Sequence, residues 1–166
     1  MRDRALVTLL AVVAMLAPAC TSTETREAPA MASSVTFDDP WARAADSGMT
    51  AMFGTLTNAG GHEVRIVGGE SPVAGVVEIH EITADGGTRV MRPKDGGIAI
   101  AADSSHDLAP GGDHLMLMDL REPLRPGADV AITITFEDGS TLPVTAQVRD
   151  FAGGNEEYSP GGHPHG

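Results

Sequence analysis

The chain has 166 residues and a formal net charge of −12 at pH 7, with 42% hydrophobic but only 4% aromatic residues. This length supplies one hydrophobic core, so a single folded domain is expected. A chain this acidic is repelled by phosphate backbones and anionic head groups, which argues against nucleic acid as a partner.

The N-terminal segment has the features of an export signal that ends in a lipid attachment site. Arg2 and Arg4 precede an apolar run over residues 5–16, which is too short to cross a bilayer but suits a signal peptide. The run leads to Cys20 in a Leu-Ala-Pro-Ala-Cys string that resembles a bacterial lipobox, although ordinary cleavage near Ala19 is an alternative. Because the chain has no other cysteine, lipidation is favoured over a free thiol. We therefore expect an extracytoplasmic lipoprotein, anchored to the bacterial cell membrane by acyl chains that contribute about 0.8 kcal/mol per buried methylene.

Polar, low-complexity segments flank the part of the chain that can fold. Residues 20–34 are rich in Thr, Ser, Glu and Ala and have no apolar period, which is typical of a flexible tether. The last residues are mostly Gly, Pro, Glu and His and cannot bury enough apolar surface to become ordered. The expected organisation is a signal peptide over 1–19, a tether over 20–34, a folded domain over 35–151 and a disordered tail over 152–166.

The central region predicts strands throughout. Short candidates cover residues 35–38, 51–58, 63–68, 75–82, 88–92 and 114–120, with Gly- and Pro-rich turns between them. The clearest pair follows at 130–136 and 142–148, where apolar and polar residues alternate and Glu137-Asp-Gly-Ser140 forms a hairpin turn. No segment has a sustained helical period. Many short strands at this spacing indicate an antiparallel β-sandwich or barrel of about a hundred residues.

Imidazole and thioether groups lie on neighbouring predicted strands. His80 is near the end of one strand and Met91 is on the next, with the turn Asp85-Gly-Gly87 between them. His114 and Met116 are two residues apart, so they share one face of a later strand while the leucines beside them point to the core. Two imidazoles and two thioethers form a soft, neutral donor set that suits Cu(I). No cysteine is available for a blue-copper electron-transfer site, because the single one lies in the export signal.

The spacing of the four donors favours metal binding over the simpler interpretation that each side chain only packs. Ten residues separate His80 from Met91 and twenty-two separate Met91 from His114, which begins a His-x-Met pair. This arrangement resembles the PCu(A)C family of periplasmic copper chaperones; its second spacing is one residue longer than in that family, which the turn Asp95-Gly-Gly97 can absorb. Other segments that resemble the family, within residues 35–148, are Trp41-Ala-Arg43, Gly54-Thr-Leu-Thr-Asn58, Ser71-Pro-Val-Ala-Gly75, Val77-Glu-Ile-His-Glu81 and Pro110-Gly-Gly112.

The resemblance implies a fold, a metal and a task. It implies a cupredoxin-like antiparallel β-sandwich in which His80, Met91, His114 and Met116 bind one Cu(I) in a shallow site that is open on one side. It also implies a chaperone, not an enzyme, which delivers copper for assembly of the CuA centre in cytochrome c oxidase subunit II, directly or through a Sco-type protein. A copper-sequestering or resistance lipoprotein would use the same site. An interaction module in which these side chains only pack is the third alternative.

Other histidines and methionines are weaker candidates. Met118 lies on the same predicted face as His114, which makes it a candidate for an additional thioether ligand. Packing is the simpler interpretation of this side chain. His163 and His165 in the C-terminal tail are candidate auxiliary copper ligands, since His-rich tails bind metals. His62 and His106 fall in predicted turns, where solvated side chains are expected.

Overall fold

A computed structural model describes residues 29–153 and 157–158, and nearly all of its regular structure is β-strand. A 3-10 helix, Met31–Ser34, precedes the strands. The strands are β1 (Val35–Arg43), β2 (Thr50–Asn58), β3 (Val64–Glu70), β4 (Val76–Asp85), β5 (Thr88–Pro93), β6 (Ile98–Ile100), β7 (Ser104–Leu108), β8 (His114–Met118), β9 (Asp129–Phe136), β10 (Thr141–Arg149) and β11 (Glu157–Tyr158). The predicted all-β class is confirmed.

The strands form one sheet that closes on itself. Hydrogen bonds connect them in the order β4-β8-β2-β1-β10-β9-β3, and β3 then pairs with β4 to close the ring. β5 and β11 extend the sheet beyond β4, β6 extends it beyond β3, and β7 pairs with β2. Among the described strands, β1–β10 and β5–β11 pair in parallel, and the other pairings are antiparallel. The strands that carry the predicted donors, β4, β5 and β8, are therefore neighbours.

The inside of this closed sheet holds the hydrophobic core. Its largest fully buried side chains include Phe136, Leu56, Ile66, Ile132 and Ile134, contributed by strands on all sides. Leu115 and Leu117 of β8 are also fully buried, as alternation along that strand predicts. Each such side chain stabilises the fold by about 1.5–3 kcal/mol relative to an exposed position. Because the two leucines hold one face of β8 against the core, the side chains that alternate with them point to the opposite face.

The N-terminal boundary of the folded part differs from the predicted one. Met31–Ser34, assigned to the tether from sequence, form the 3-10 helix instead. The backbone N–H of Met31 donates to Asp138 Oδ2 at 2.7 Å, and that of Ala32 donates to Ser140 Oγ at 3.0 Å. Both side chains also pack against the core. This segment is therefore part of the domain, because its backbone groups find partners in the β9–β10 turn.

The C-terminal tail also differs from the prediction at two residues. Glu157 and Tyr158 pair in parallel with Val90 and Met91 of β5, so the prediction of disorder is wrong there. The signal peptide, Cys20, and His163 and His165 of the tail lie outside the described residues. Within the described part, no helix is long and apolar enough to cross a membrane.

Candidate metal centre

Three neighbouring strands place the four predicted donors on one face of the sheet. His80 of β4 lies directly opposite His114 of β8 in the antiparallel register, and Met116 follows His114 by two residues. On the other side of β4, Ile82 lies opposite Met91 of β5. Because side chains alternate between faces and paired residues share a face, all four donors lie on the face opposite the buried leucines of β8.

A two-residue turn sets the register that brings Met91 to this face. Asp85 pairs with Thr88, so Gly86 and Gly87 alone connect β4 and β5. Their φ angles are 56° and 90°, in the region that a tight hairpin turn requires at both central positions and that glycine enters without strain. The hairpin predicted from Asp85-Gly-Gly87 is therefore confirmed.

The shortest contact within the donor set joins an imidazole nitrogen to a thioether sulfur. His114 Nε2 lies 3.0 Å from Met91 Sδ. The other ring nitrogen, Nδ1, lies 3.0 Å from the carbonyl oxygen of Gly112. If Nδ1–H donates to this carbonyl, the lone pair is on Nε2 and faces the sulfur lone pairs of Met91. A nitrogen and a sulfur that share one first-row d10 ion at tetrahedral geometry lie about 3.5 Å apart, so a small shift suffices for both to bind one metal.

His80 is oriented by a carboxylate on its own strand. Its Nε2 lies 2.8 Å from Glu78 Oε2, and its ring is 5.8 Å from that of His114, edge to face. Donation of an imidazole N–H to a carboxylate fixes the tautomer and the ring orientation of many metal-bound histidines. Glu78 was not identified from sequence, although its position two residues before His80 in Val-Glu-Ile-His places both side chains on one face.

The donor side chains are more buried than the sequence suggested. His80 is 0% exposed, Met91 8%, His114 3% and Met116 4%, which is less exposure than a shallow site implies. A pocket of about 170 Å³ reaches three of them. Its wall consists of Arg43, Met49, Thr50, Ala51, Phe53, Ile82, Met91, Pro110, Gly111, His114 and Met116. Three of the donors therefore line a small pocket, and β2 and the loop before β8 supply much of its wall.

An ion-pair network connects β4 and β8 next to His80 and His114. Lys94 Nζ donates to Glu81 Oε2 at 3.0 Å and lies 3.3 Å from Asp113 Oδ1. Glu81 follows one histidine and Asp113 precedes the other, so Lys94 joins the two strands at this end of their pairing. The hydrogen bond from Lys94 holds the pKa of Glu81 below its usual value. Burial lowers the pKa of Lys94, but its hydrogen bonds to the two carboxylates outweigh this effect and raise the pKa above its usual value.

The remaining candidates are not part of this cluster. Met118 is half-buried and lies opposite Val76, outside the pocket wall. His62 lies in a turn, as predicted, whereas His106 lies on β7 with its Nε2 3.0 Å from Asp113 Oδ2. Among the described residues, no group of three or more His, Cys, Asp or Glu side chains is placed to hold a metal.

Solved structures with the same architecture identify the class of this domain. The copper-bound PCuAC domain from PmoF2 superposes with a TM-score of 0.59 at 22% identity, covering 71% of this chain and 94% of that chain. Apo-DR1885 from Deinococcus radiodurans has a TM-score of 0.53 at 32% identity, covering 87% and 98%. The Cu(I) form of DR1885 has a TM-score of 0.52 at 29% identity, covering 83% and 90%. The domain thus has the cupredoxin-like fold of PCuAC domains, as expected.

Sequence comparison gives the family. Residues 35–148 match the family described as "Putative lipoprotein LpqE-like", and the chain belongs to this LpqE-like family. "Putative lipoprotein Lxx21020" of Leifsonia xyli subsp. xyli is 44% identical over 118 residues, which is 71% of each chain. "Uncharacterized protein RP573" of Rickettsia prowazekii is 31% identical over 119 residues, covering 69% of this chain and 66% of that protein.

Proposed function

We propose that this protein is an extracytoplasmic lipoprotein that binds one Cu(I) through His80, Met91, His114 and Met116 and passes it to another protein. The observation that carries the proposal is the convergence of two imidazoles and two thioethers on one face of β4, β5 and β8. The 3.0 Å contact between His114 Nε2 and Met91 Sδ supports it at atomic detail. The similar domains from PmoF2 and DR1885 include a copper-bound and a Cu(I) form.

The chemistry of the donor set favours monovalent copper. Thioether sulfur is a soft, neutral ligand that Cu(I) prefers, whereas divalent zinc in proteins is held by thiolate, imidazole and carboxylate groups. Thioethers do not titrate in water, so the pH dependence of copper affinity should come from the histidines. Copper is carried as cargo, and no covalent bond of a substrate is made or broken.

The recipient in this proposal is a membrane enzyme that needs copper for its assembly. The resemblance to PCu(A)C chaperones favours the CuA centre of cytochrome c oxidase subunit II, reached directly or through a Sco-type protein. A lipid on Cys20 would hold the domain near the membrane surface, since a flexible tether of this length has an end-to-end distance of about 20 Å. Anchoring would then raise the local concentration of donor near acceptor.

Copper binding can be tested on the purified protein under anaerobic, reducing conditions. Competition with a chromophoric Cu(I) chelator should give one tightly bound Cu(I) per chain, and X-ray absorption should report two sulfur and two nitrogen neighbours. Zinc offered in competition should be retained much less strongly. Equal or stronger zinc retention, or an absorption spectrum without sulfur neighbours, would contradict the proposed ligand set.

A second function is favoured by the burial of the donors. Ligands that are at most 8% exposed release an ion more slowly than an open site would, which suits a copper-sequestering or resistance lipoprotein with no dedicated recipient. Deletion of the gene separates the two functions. A chaperone predicts loss of oxidase assembly at low copper, whereas a sequestering protein predicts copper sensitivity with normal oxidase assembly.

A further inference from the structure

The burial of the donor set raises the question of how an ion enters and leaves it. Transfer by ligand exchange requires a donor of the incoming protein to contact the metal before all the old ligands leave. Here the four proposed ligands are at most 8% exposed, and the pocket that reaches three of them holds only about 170 Å³. A folded protein partner cannot enter a space of this size. A ligand group nearer the mouth of the pocket would let the ion change ligands there, without entry of the partner protein.

Met49 is placed to be such a group. It lies in the pocket wall together with Met91, His114 and Met116. It is nevertheless 38% exposed, and few other large hydrophobic side chains of the described residues are as exposed. It precedes Ala51 of β2 by two residues, and Ala51 lies opposite Met116. Met49 lies one residue before β2 begins, and its place in the pocket wall puts it beside the donor face.

The backbone on both sides of Met49 is anchored. The N–H of Leu120 donates to the carbonyl oxygen of Gly48 at 2.9 Å, and Thr50 Oγ1 donates to the carbonyl oxygen of Arg43 at 2.7 Å. The Cα atom of Met49 is thus held at a fixed place beside the pocket. The long, unbranched methionine side chain still gives its sulfur freedom to move between the mouth and the interior.

The other groups of the pocket wall offer no comparable donor. The guanidinium of Arg43 has no lone pair to give to a metal, and the hydroxyl of Thr50 is a hard oxygen that Cu(I) disfavours. Among the residues of this wall, Met49 supplies the one sulfur in addition to Met91 and Met116. A soft cation at the mouth therefore meets Met49 before it meets the buried set.

We propose that Met49 is the transfer ligand of this protein, which binds Cu(I) at the mouth of the pocket while the ion passes to or from Met116, Met91 and the histidines. The inference rests on the proposed Cu(I) binding and adds a route to it. On entry, a bond from copper to Met49 Sδ forms as a bond to the carrier's donor breaks, and release reverses these steps. Copper remains Cu(I) throughout, and no proton moves because a thioether carries none.

The kinetics of transfer test this role. Met49→Leu preserves the volume and the apolar character of the side chain but removes its sulfur. Its equilibrium Cu(I) affinity should stay within a few-fold of the wild-type value, since equilibrium depends only on the end states. Its rate of Cu(I) transfer to a chromophoric chelator in stopped flow should fall about tenfold, which corresponds to about 1.4 kcal/mol in the barrier. Met118→Leu is the matched control, because Met118 shares the donor face but not the pocket wall, and it should transfer at the wild-type rate.

Methyl NMR of the methionine-labelled full chain gives an independent readout. Substoichiometric Ag(I), a monovalent ion that is not oxidised, should perturb the ε-methyl signal of Met49 along with those of Met91 and Met116, and leave Met118 unchanged. Transfer at the wild-type rate in Met49→Leu, with wild-type copper binding intact, would overturn the transfer role alone. An affinity loss in Met49→Leu as large as in Met116→Leu would also overturn it, because Met49 would then be a resident ligand. Failure of the wild-type protein to bind Cu(I) would remove the proposed function together with this inference.

Discussion

Replacement of Met116 by leucine separates the two roles that a buried methionine can have. Met116 is 4% exposed, so truncation to alanine would leave a cavity and cost about 2–5 kcal/mol, a large share of a typical stability of about 5–15 kcal/mol. The leucine replacement keeps the volume and costs less than about 1.5 kcal/mol. Met116→Leu should therefore remain folded while it loses the sulfur, whereas Met116→Ala confounds binding with stability.

The expected loss of copper affinity in Met116→Leu is large. Removal of a group that only orients a metal ligand typically weakens metal binding by about 10–100-fold, so loss of a directly bound donor should reach at least about 100-fold. This corresponds to about 2.7 kcal/mol and exceeds the cost that the substitution imposes on the fold. The Cu(I) complex should also lose one of its sulfur neighbours in X-ray absorption.

Chelator competition for Cu(I) and urea unfolding of the apo-protein, measured on the same samples, provide the assay. Met118→Leu on the same strand controls for loss of a thioether elsewhere on the donor face and should bind like the wild type. If Met116→Leu retains wild-type affinity, or if Met118→Leu loses as much, the assignment of Met116 as a ligand is wrong.

Three further predictions concern the N-terminal 3-10 helix, the ion-pair network beside the histidines and the anchor. The N–H of Met31 holds the pKa of Asp138 below its ordinary value of 3.8, so the stabilisation is complete above that value and is lost as pH falls through the lower folded pKa. Asp138→Asn should therefore lower the urea midpoint at about pH 6, and its difference from the wild type should shrink as pH falls below 3.8. Lys94→Met should cost at most about 1 kcal/mol at low salt and less at high salt, and a loss that salt leaves unchanged would mean that packing of the stem dominates. Cys20→Ser should move the exported protein from the membrane to the soluble fraction without a change in copper affinity, and continued membrane retention would exclude a lipid at that residue.

The strands that could be predicted from sequence are those whose pattern is decided by their own residues. β9 and β10 alternate over their full length and were predicted to within a residue or so. β6 and β7 were not predicted. β6 is three residues long and β7 is largely polar, and their pairing with β3 and β2 depends on partners distant in sequence. The prediction of β1 stopped at Asp38 because Asp39 and Pro40 interrupt the pattern. The strand continues beyond a bulge there, with Asp39 at a φ of 46°.

The metal centre shows the same division between local and distant determinants. Alternation predicted that His114 and Met116 share one face, and the glycine turn predicted that His80 and Met91 lie on paired strands. The full set of four ligands followed from the resemblance to the PCu(A)C family. Their depth was not predictable, because it depends on β2 and on the loop before β8, which approach from elsewhere in the chain. Met49 was missed for this reason: only the fold brings the start of β2 beside Met116.

The charge of the buried centre gives a second reason, besides softness, for a preference for monovalent copper. The four proposed ligands are neutral, so a bound ion contributes its whole charge to a poorly solvated site, and an uncompensated buried charge costs several kcal/mol. Glu78, 2.8 Å from His80 Nε2, supplies one negative charge nearby, although solvent screens part of it because the side chain is 37% exposed. The guanidinium of Arg43 in the pocket wall adds a positive charge, so a divalent ion is left less compensated than Cu(I). The pocket should therefore discriminate against zinc by charge as well as by donor type, which is the outcome that the zinc competition measures.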